Sequence, residues 1–226
     1  MQKSDALTAV SDYLRKKTLD EFNISREIEV IPNFVDPQKF KNIEKPSDRK
    51  IICHSSNFRP VKRVPDIIRA FSKITGEVNS DLFLIGDGPQ REEAEKMADD
   101  LGILDRICFF GNIKNVQDIL GKADLFLLPS EEESFGLAAL EAMSCEAPVV
   151  ASRTGGLAEL ISHGKDGYLI EKGDVESLAR YAVRVLDDLE HQRELAGNAR
   201  EKVLEKYTSE KVIEKYEDLY QKTLKK

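Results

Sequence analysis

Leu125-Phe126-Leu127-Leu128-Pro129-Ser130-Glu131-Glu132-Glu133-Ser134-Phe135-Gly136-Leu137-Ala138-Ala139-Leu140-Glu141 is the stretch from which the fold can be read. Its first four residues are apolar without a break. A strand that is polar on one face would alternate, so this one is buried on both faces, as strands of a parallel sheet are. The Ala- and Leu-rich end reads as a helix opened by the Ser134-Phe135-Gly136 turn. A buried strand thus delivers a short loop, and the loop delivers a helix N-terminus. Free backbone N–H groups and the positive end of the helix dipole meet there, which makes an anion site. Glu133 stands beside it and Glu141 lies eight positions on. A carboxylate next to an anion site suits a ligand carrying both phosphates and hydroxyls, such as a nucleotide sugar.

Strand-like and helix-like runs alternate on either side. Strands are expected at 6–10, 27–31, 50–55, 81–85, 106–110, 124–128, 148–151 and 167–170. Several, including Leu82–Ile85 and Val149-Val150, are again apolar throughout. Helices are expected at 12–22, capped by Ser11, at 64–74 with Pro65 in its first turn, and at 90–101 after Pro89. The βαβα order predicts an α/β fold, a Rossmann-like doubly wound parallel sheet. Three charged, amphipathic helices at 174–189, 190–207 and 209–224 follow. In the last, Val212, Ile213, Tyr216, Leu219 and Tyr220 share one face, for packing on its own domain or on a neighbouring one.

The 226 residues allow one large domain, and 41% hydrophobic content supplies a core. A net charge of −7 argues against a protein that coats nucleic acid, and a membrane-surface role for the Lys-rich tail sits poorly with it. The three cysteines have no CxxC spacing, so buried cytosolic thiols are expected rather than disulfides or zinc ligands. Met1-Gln2-Lys3 leads almost at once into a strand-like run, which suggests a fragment boundary.

In open α/β sheets ligands bind beyond the carboxyl ends of the strands. Four loops there carry polar or glycine-rich residues: Ser56 to Arg63, Gly86 to Pro89, Gly111 to Lys114, and the Glu133 loop. Arg59, Lys62 and Arg63 could be a solvated basic turn; beside the anion site, Lys62 is expected to clamp a diphosphate. Gly86 permits close approach of a base or ribose to backbone. Glu131 and Glu132 read as solvated. Were 133–141 wholly helical, Glu133 and Glu141 would stand ~12 Å and ~80° apart. That exceeds the ~5 Å of a retaining glycosidase pair and the ~6.5–9.5 Å of an inverting one. It suits two ends of one extended ligand. His54, His163 and His191 lack metal spacing, and Ser134 is not in a Gly-x-Ser-x-Gly setting.

Pro32-Asn33-Phe34-Val35-Asp36, Gly86-Asp87-Gly88-Pro89, Glu133 to Glu141, Ala147-Pro148-Val149-Val150-Ala151, Gly155 to Glu159 and Gly164 to Gly167 occur in this order. In them the chain resembles the C-terminal, donor-binding half of GT-B-fold retaining glycosyltransferases of the group 1 type. His54 to Val64, with Thr8 to Ser11, resembles the branch that joins N-acetylglucosamine to L-malate in bacillithiol synthesis. The resemblance implies a UDP-sugar donor, with N-acetylglucosamine as the sugar, no metal or other cofactor, a small-molecule acceptor such as L-malate held mainly by an absent N-terminal domain, and a cytoplasmic enzyme. It implies that Glu133 binds donor sugar hydroxyls. Ser134 and the backbone at Phe135, Gly136 and Leu137 would hold the distal phosphate. Lys62 would hold the diphosphate and Glu141 the ribose, while Gly111, Asn112 and Ile113 face the uracil. The family's usual arginine five positions before the lysine is Asn57 here, and Arg59 is the candidate to compensate. The implied organisation is 1–24 as a stub and helix of the preceding domain, 25–207 as the nucleotide-sugar domain, and 208–226 as a helix for docking on the absent domain. A GT-B-fold epimerase and a non-catalytic UDP-sugar-binding module are the alternative readings. Self-association is left open.

Overall fold

The computed structural model of the chain describes residues 4–44 and 49–225. The suspected boundary at Met1 lies outside them. In chain order the elements are β1 (Thr8–Ala9), α1 (Asp12–Phe22), β2 (Glu29–Val30), β3 (Lys50–Ser55), α2 (Val64–Ile74), β4 (Ser80–Ile85), α3 (Arg91–Asp100), β5 (Ile107–Gly111), α4 (Gln117–Leu120), β6 (Leu125–Leu128), α5 (Leu137–Ser144), β7 (Val149–Ser152), α6 (Leu157–Leu160), β8 (Tyr168–Ile170), α7 (Val175–Asp187), α8 (Leu189–Lys206) and α9 (Ser209–Leu224). Six strands make one parallel sheet in the order β5-β4-β3-β6-β7-β8. This is the doubly wound, Rossmann-like sheet that the apolar runs predict.

Side chains of successive strand residues fall on opposite faces. Leu125, Leu127 and Val150 join the cluster with Ile67, Phe71, Leu178 and Val185, under α2 and α7. Phe126, Leu128, Val149 and Ala151 join the one with Ala139, Leu140, Met143 and Val203, under α5 and α8. Every residue of β6 and β7 is buried. Each large side chain buried this way contributes roughly 1.5–3 kcal/mol.

The first two expected strands depart from the reading. They shrink to two residues each, and β1 and β2 pair only with one another, outside the main sheet. Ile31 beside them packs with Ala6 against Val212, Tyr216 and Leu219 of α9. Ile213 and Tyr220, assigned to that same face, are exposed. The four-residue helices α4 and α6 add to the expected elements; one turn is too short to show a period in the sequence. Ser11 caps α1 as expected, accepting from the Leu14 N–H at 3.0 Å. Cys53 and Cys145 are buried thiols outside any disulfide, whereas Cys108 is exposed because β5 is the sheet's edge. Among the described residues no helix is long and apolar enough to cross a membrane.

Candidate active site

Strand β3 is the point at which the winding reverses. Its neighbour on one side is β4 and on the other β6. Connections leave these strands in opposite senses, so their carboxyl ends bound a crevice. Pairing of β3 with β6 stops at Cys53 opposite Phe126, while β3 continues with β4 as far as Ser55 opposite Ile85.

The loop from β3 enters a 3₁₀ turn at Pro60–Lys62. The Lys62 ammonium ion-pairs with Glu133 Oε1, and the buried Ser130 hydroxyl donates to the same oxygen at 3.0 Å. The two loops are also joined through backbone, where the Glu131 N–H donates to the Val61 carbonyl at 2.8 Å. The Lys62 and Glu133 side chains are 20% and 14% exposed, so solvent screens the pair little. Arg63, by contrast, is used structurally: Nε donates to Asp66 Oδ2 at 2.5 Å and Nη1 to Glu131 Oε1 at 2.6 Å. Arg59 is exposed at the start of the turn and shows no ion pair among the described residues.

Asn57, Gly86, Gly111, Asn112 and Ile113 converge, with Ser55, Ser56 and Val116, on a recess of about 220 Å³. Gly86 is required there. Its φ is +120°, and a Cβ would lie 1.7 Å from the Ser56 carbonyl oxygen.

The start of α5 has the uncapped form that an anion site requires. Gly136 turns the chain into the helix at φ 97°, no side chain caps it, and its first turn holds no acidic residue. The N–H groups there are left for a ligand. Phe135 contributes backbone only, since its ring is buried edge-on to Tyr207 at 5.8 Å. The Ser134 carbonyl accepts from the Ser11 hydroxyl at 2.5 Å. Leu137 is exposed at the helix mouth. Since the helix begins only at Leu137, Glu133 stands on irregular chain and Glu141 in the second turn. Burial pushes the Glu141 carboxyl up to about 7, opposed by the charge of Lys39. No hydrogen bond to it is seen among the described residues, which makes it a half-buried acceptor suited to ligand hydroxyls.

Glu131 and Glu132 are not merely solvated. Glu131 meets Arg63, and Glu132 pairs with Lys17 and accepts from the Tyr13 hydroxyl at 3.1 Å. Both remain exposed, and such pairs contribute about 0–1 kcal/mol each. Sequence reasoning missed Ser130, which a hydroxyl three positions before Glu133 could have suggested. It also missed Glu159, whose two oxygens accept from Asp12 N (2.9 Å) and Tyr13 N (2.6 Å) at the start of α1. Nothing local marks that contact, which spans much of the chain.

With this geometry in place, the chain can be set beside known proteins. The family model for glycosyl transferases group 1 matches residues 35–202. The N-acetyl-alpha-D-glucosaminyl L-malate synthase of Bacillus anthracis is 40% identical over 234 aligned residues, covering 100% of this chain and 61% of that protein. The chain thus spans about three fifths of that relative's length. Among solved structures, Staphylococcus aureus TarM, in complex with fondaparinux, alpha-GlcNAc-glycerol and UDP, superposes with TM-score 0.83 at 26% identity, covering 97% of this chain and 44% of that one. Sucrose-phosphate synthase from Thermosynechococcus elongatus gives TM-score 0.88 at 26% identity, over 98% of this chain and 59% of that one. The sheet and its helices are those of one half of a GT-B glycosyltransferase, and the chain belongs to the glycosyl transferases group 1 family.

Proposed function

We propose that residues 25–207 form the donor site of a retaining, metal-independent glycosyltransferase that moves N-acetylglucosamine from its UDP conjugate to L-malate. The observation that carries this reading is the Lys62–Glu133 pair beside the uncapped start of α5. It sets one cation, one carboxylate and a row of N–H groups around a single crevice. The name of the Bacillus anthracis relative supports the sugar and the acceptor, and the UDP in the TarM complex supports the nucleotide.

In this mechanism the diphosphate draws Lys62 off Glu133, and the distal phosphate settles on the N–H groups at Gly136 and Leu137. Glu133 is then free to accept from hydroxyls of the sugar. Glu141 accepts from the ribose, and the base enters the recess at Gly86, Gly111, Asn112 and Ile113, with Asn57 at its rim and Arg59 supplying outer charge. As the bond from the sugar to the diphosphate breaks, negative charge grows on the leaving oxygen. Lys62 and the helix N-terminus stabilise it there, in place of a metal ion. The acceptor is held mainly by chain beyond residues 25–207, in a cytoplasmic enzyme, and α9 offers that chain a docking face.

Titration calorimetry of this chain with UDP, GDP and UDP-N-acetylglucosamine tests the donor half. UDP is expected to bind more tightly than GDP, unaffected by EDTA. Absence of binding by every nucleotide overturns the reading. Transfer to L-malate is assayed in a protein that carries the acceptor-binding part as well; turnover with a different sugar or acceptor overturns that specificity.

A further inference from the structure

His54 is fully buried at the end of β3, 6.2 Å from the rings of both Phe58 and Phe126. Its two nitrogens have different partners. Nδ1 lies 2.8 Å from the Leu127 carbonyl oxygen, and Nε2 lies 2.8 Å from the Ser56 hydroxyl. A carbonyl can only accept, so Nδ1 carries the proton. In a neutral ring Nε2 then accepts, and the Ser56 hydroxyl donates to it. That leaves the Ser56 oxygen to accept from the Phe58 N–H, at 3.2 Å. Burial lowers the imidazole to about 4, against the hydrogen bond to the Leu127 carbonyl and with the help of the Lys62 charge, so the ring is neutral near neutral pH.

The position of this chain of bonds is what gives it a consequence. It starts where the β3–β6 ladder ends and takes over the Leu127 carbonyl of the strand that leads to Glu133. It finishes on Phe58, a buried non-glycine residue held at φ 43°. A phenylalanine resists that backbone conformation, so the turn needs outside support. The same turn sends the chain through Arg59 into the Pro60–Lys62 helix.

We propose that His54 is a positioning residue for donor binding: through Ser56 it fixes the Phe58 turn and so aims Lys62 across the crevice at the Glu133 loop. This rests on the donor-site reading above. It assigns the ring no contact with substrate.

UDP titrations of this chain test it, with unfolding temperatures recorded alongside. Wild type binds UDP, and Lys62→Ala weakens binding. His54→Phe keeps a ring among the neighbouring rings but leaves the Leu127 carbonyl without its donor and the Ser56 hydroxyl proton without its acceptor; it is expected to weaken UDP about tenfold. Ser56→Ala, a change too small to unfold the chain, is expected to weaken it several-fold. The deciding measurement is coupling. If His54 acts through Lys62, adding His54→Phe or Ser56→Ala to Lys62→Ala costs less than about twofold more, whereas a purely structural role multiplies the two losses. Nitrogen-15 spectra of histidine-labelled chain should show His54 neutral and protonated at Nδ1. Full additivity, unchanged UDP affinity in both single variants, or an Nε2–H ring overturns the proposal while leaving the donor site standing. Failure of wild type to bind UDP overturns the donor reading, and this inference with it.

Discussion

Lys62 and Glu133 occupy one another: the ammonium of the first is paired with Oε1 of the second across the β3–β6 crevice, and both side chains are mostly buried. In the proposed mechanism each must be released to do its work, so binding competes with the pair. The two ends of the donor should therefore respond differently to substitution. Lys62→Ala removes the diphosphate's counter-charge and is expected to weaken UDP by about 10–100-fold, as loss of a charged hydrogen bond of ~1.5–3 kcal/mol would. Glu133→Ala frees Lys62 and removes a negative charge from the phosphate site. It should leave UDP binding unchanged or tighten it, while UDP-N-acetylglucosamine loses its advantage over UDP. Calorimetry on both variants checks this, and a large loss of UDP affinity in Glu133→Ala would contradict it. In a protein carrying both halves, each substitution should lower transfer by orders of magnitude.

Glu141 should make UDP binding depend on pH. Burial raises its carboxyl from about 4.5 to about 7, so near neutrality a substantial fraction is protonated. A ribose diol is bound best by the carboxylate, which accepts from both hydroxyls. UDP affinity is then expected to fall as pH drops from 8 to 6, approaching tenfold per unit below the midpoint, and Glu141→Gln should flatten the profile. Stability moves in the opposite sense. A raised carboxyl stabilises the fold fully below its unfolded value and forfeits that contribution as pH rises through about 7. Glu141→Gln should therefore stabilise the ligand-free chain at pH 8, by about 1–3 kcal/mol, and hardly at pH 4. Melting temperatures at the two pH values measure this, and equal shifts would count against it.

Gly155 supports the Glu133 loop from behind. Its φ is +49°, and a Cβ would stand 2.0 Å from the Glu133 carbonyl oxygen. Next to it, the Gly156 N–H donates to that same carbonyl at 2.9 Å. Gly155→Ala must move the loop or the turn, at a cost of about 1–3 kcal/mol. The expected result is a lower melting temperature and a loss of UDP-sugar binding greater than the loss of UDP binding. A variant that binds UDP-N-acetylglucosamine as wild type does would show that the loop tolerates the shift.

These features differ in how far they can be read along the chain. Leu125–Leu128 and Val149-Val150 declare burial on two faces by composition alone, and both strands sit at the sheet's centre or next to it. Lys62 and Glu133 are legible because each is adjacent to a helix start that local residues mark. Their contact is not, because it depends on β3 and β6 being neighbours, and strand order across a switch point leaves no local signal. The same holds for His54, whose partner Leu127 belongs to β6. The strands β1 and β2 are shorter than the runs 6–10 and 27–31 suggest, because an apolar run shows that burial is wanted and is silent on what provides it. Here a helix, α9, provides it.

The attachment of α1 to the site loops shows how such a non-local contact can be tested. Glu159 accepts from the Asp12 and Tyr13 N–H groups, and Ser11 donates to the Ser134 carbonyl. The Tyr13 hydroxyl reaches Glu132 at 3.1 Å. A carboxylate on the first N–H groups of a helix satisfies donors that have no partner within the helix and faces the positive end of its dipole. Its removal in Glu159→Ala should cost about 0.5–2 kcal/mol, as loss of an N-cap does. The loss should be confined in space. Hydrogen exchange is expected to quicken at Asp12, Tyr13 and their neighbours in α1, and to rise slightly in the 132–134 loop that α1 braces. Amides of β3, β6 and β7 should keep wild-type rates, because those strands are held by the central core and make no use of Glu159. Uniform acceleration across the sheet would mean that Glu159 supports the fold as a whole rather than the junction of α1 with the site.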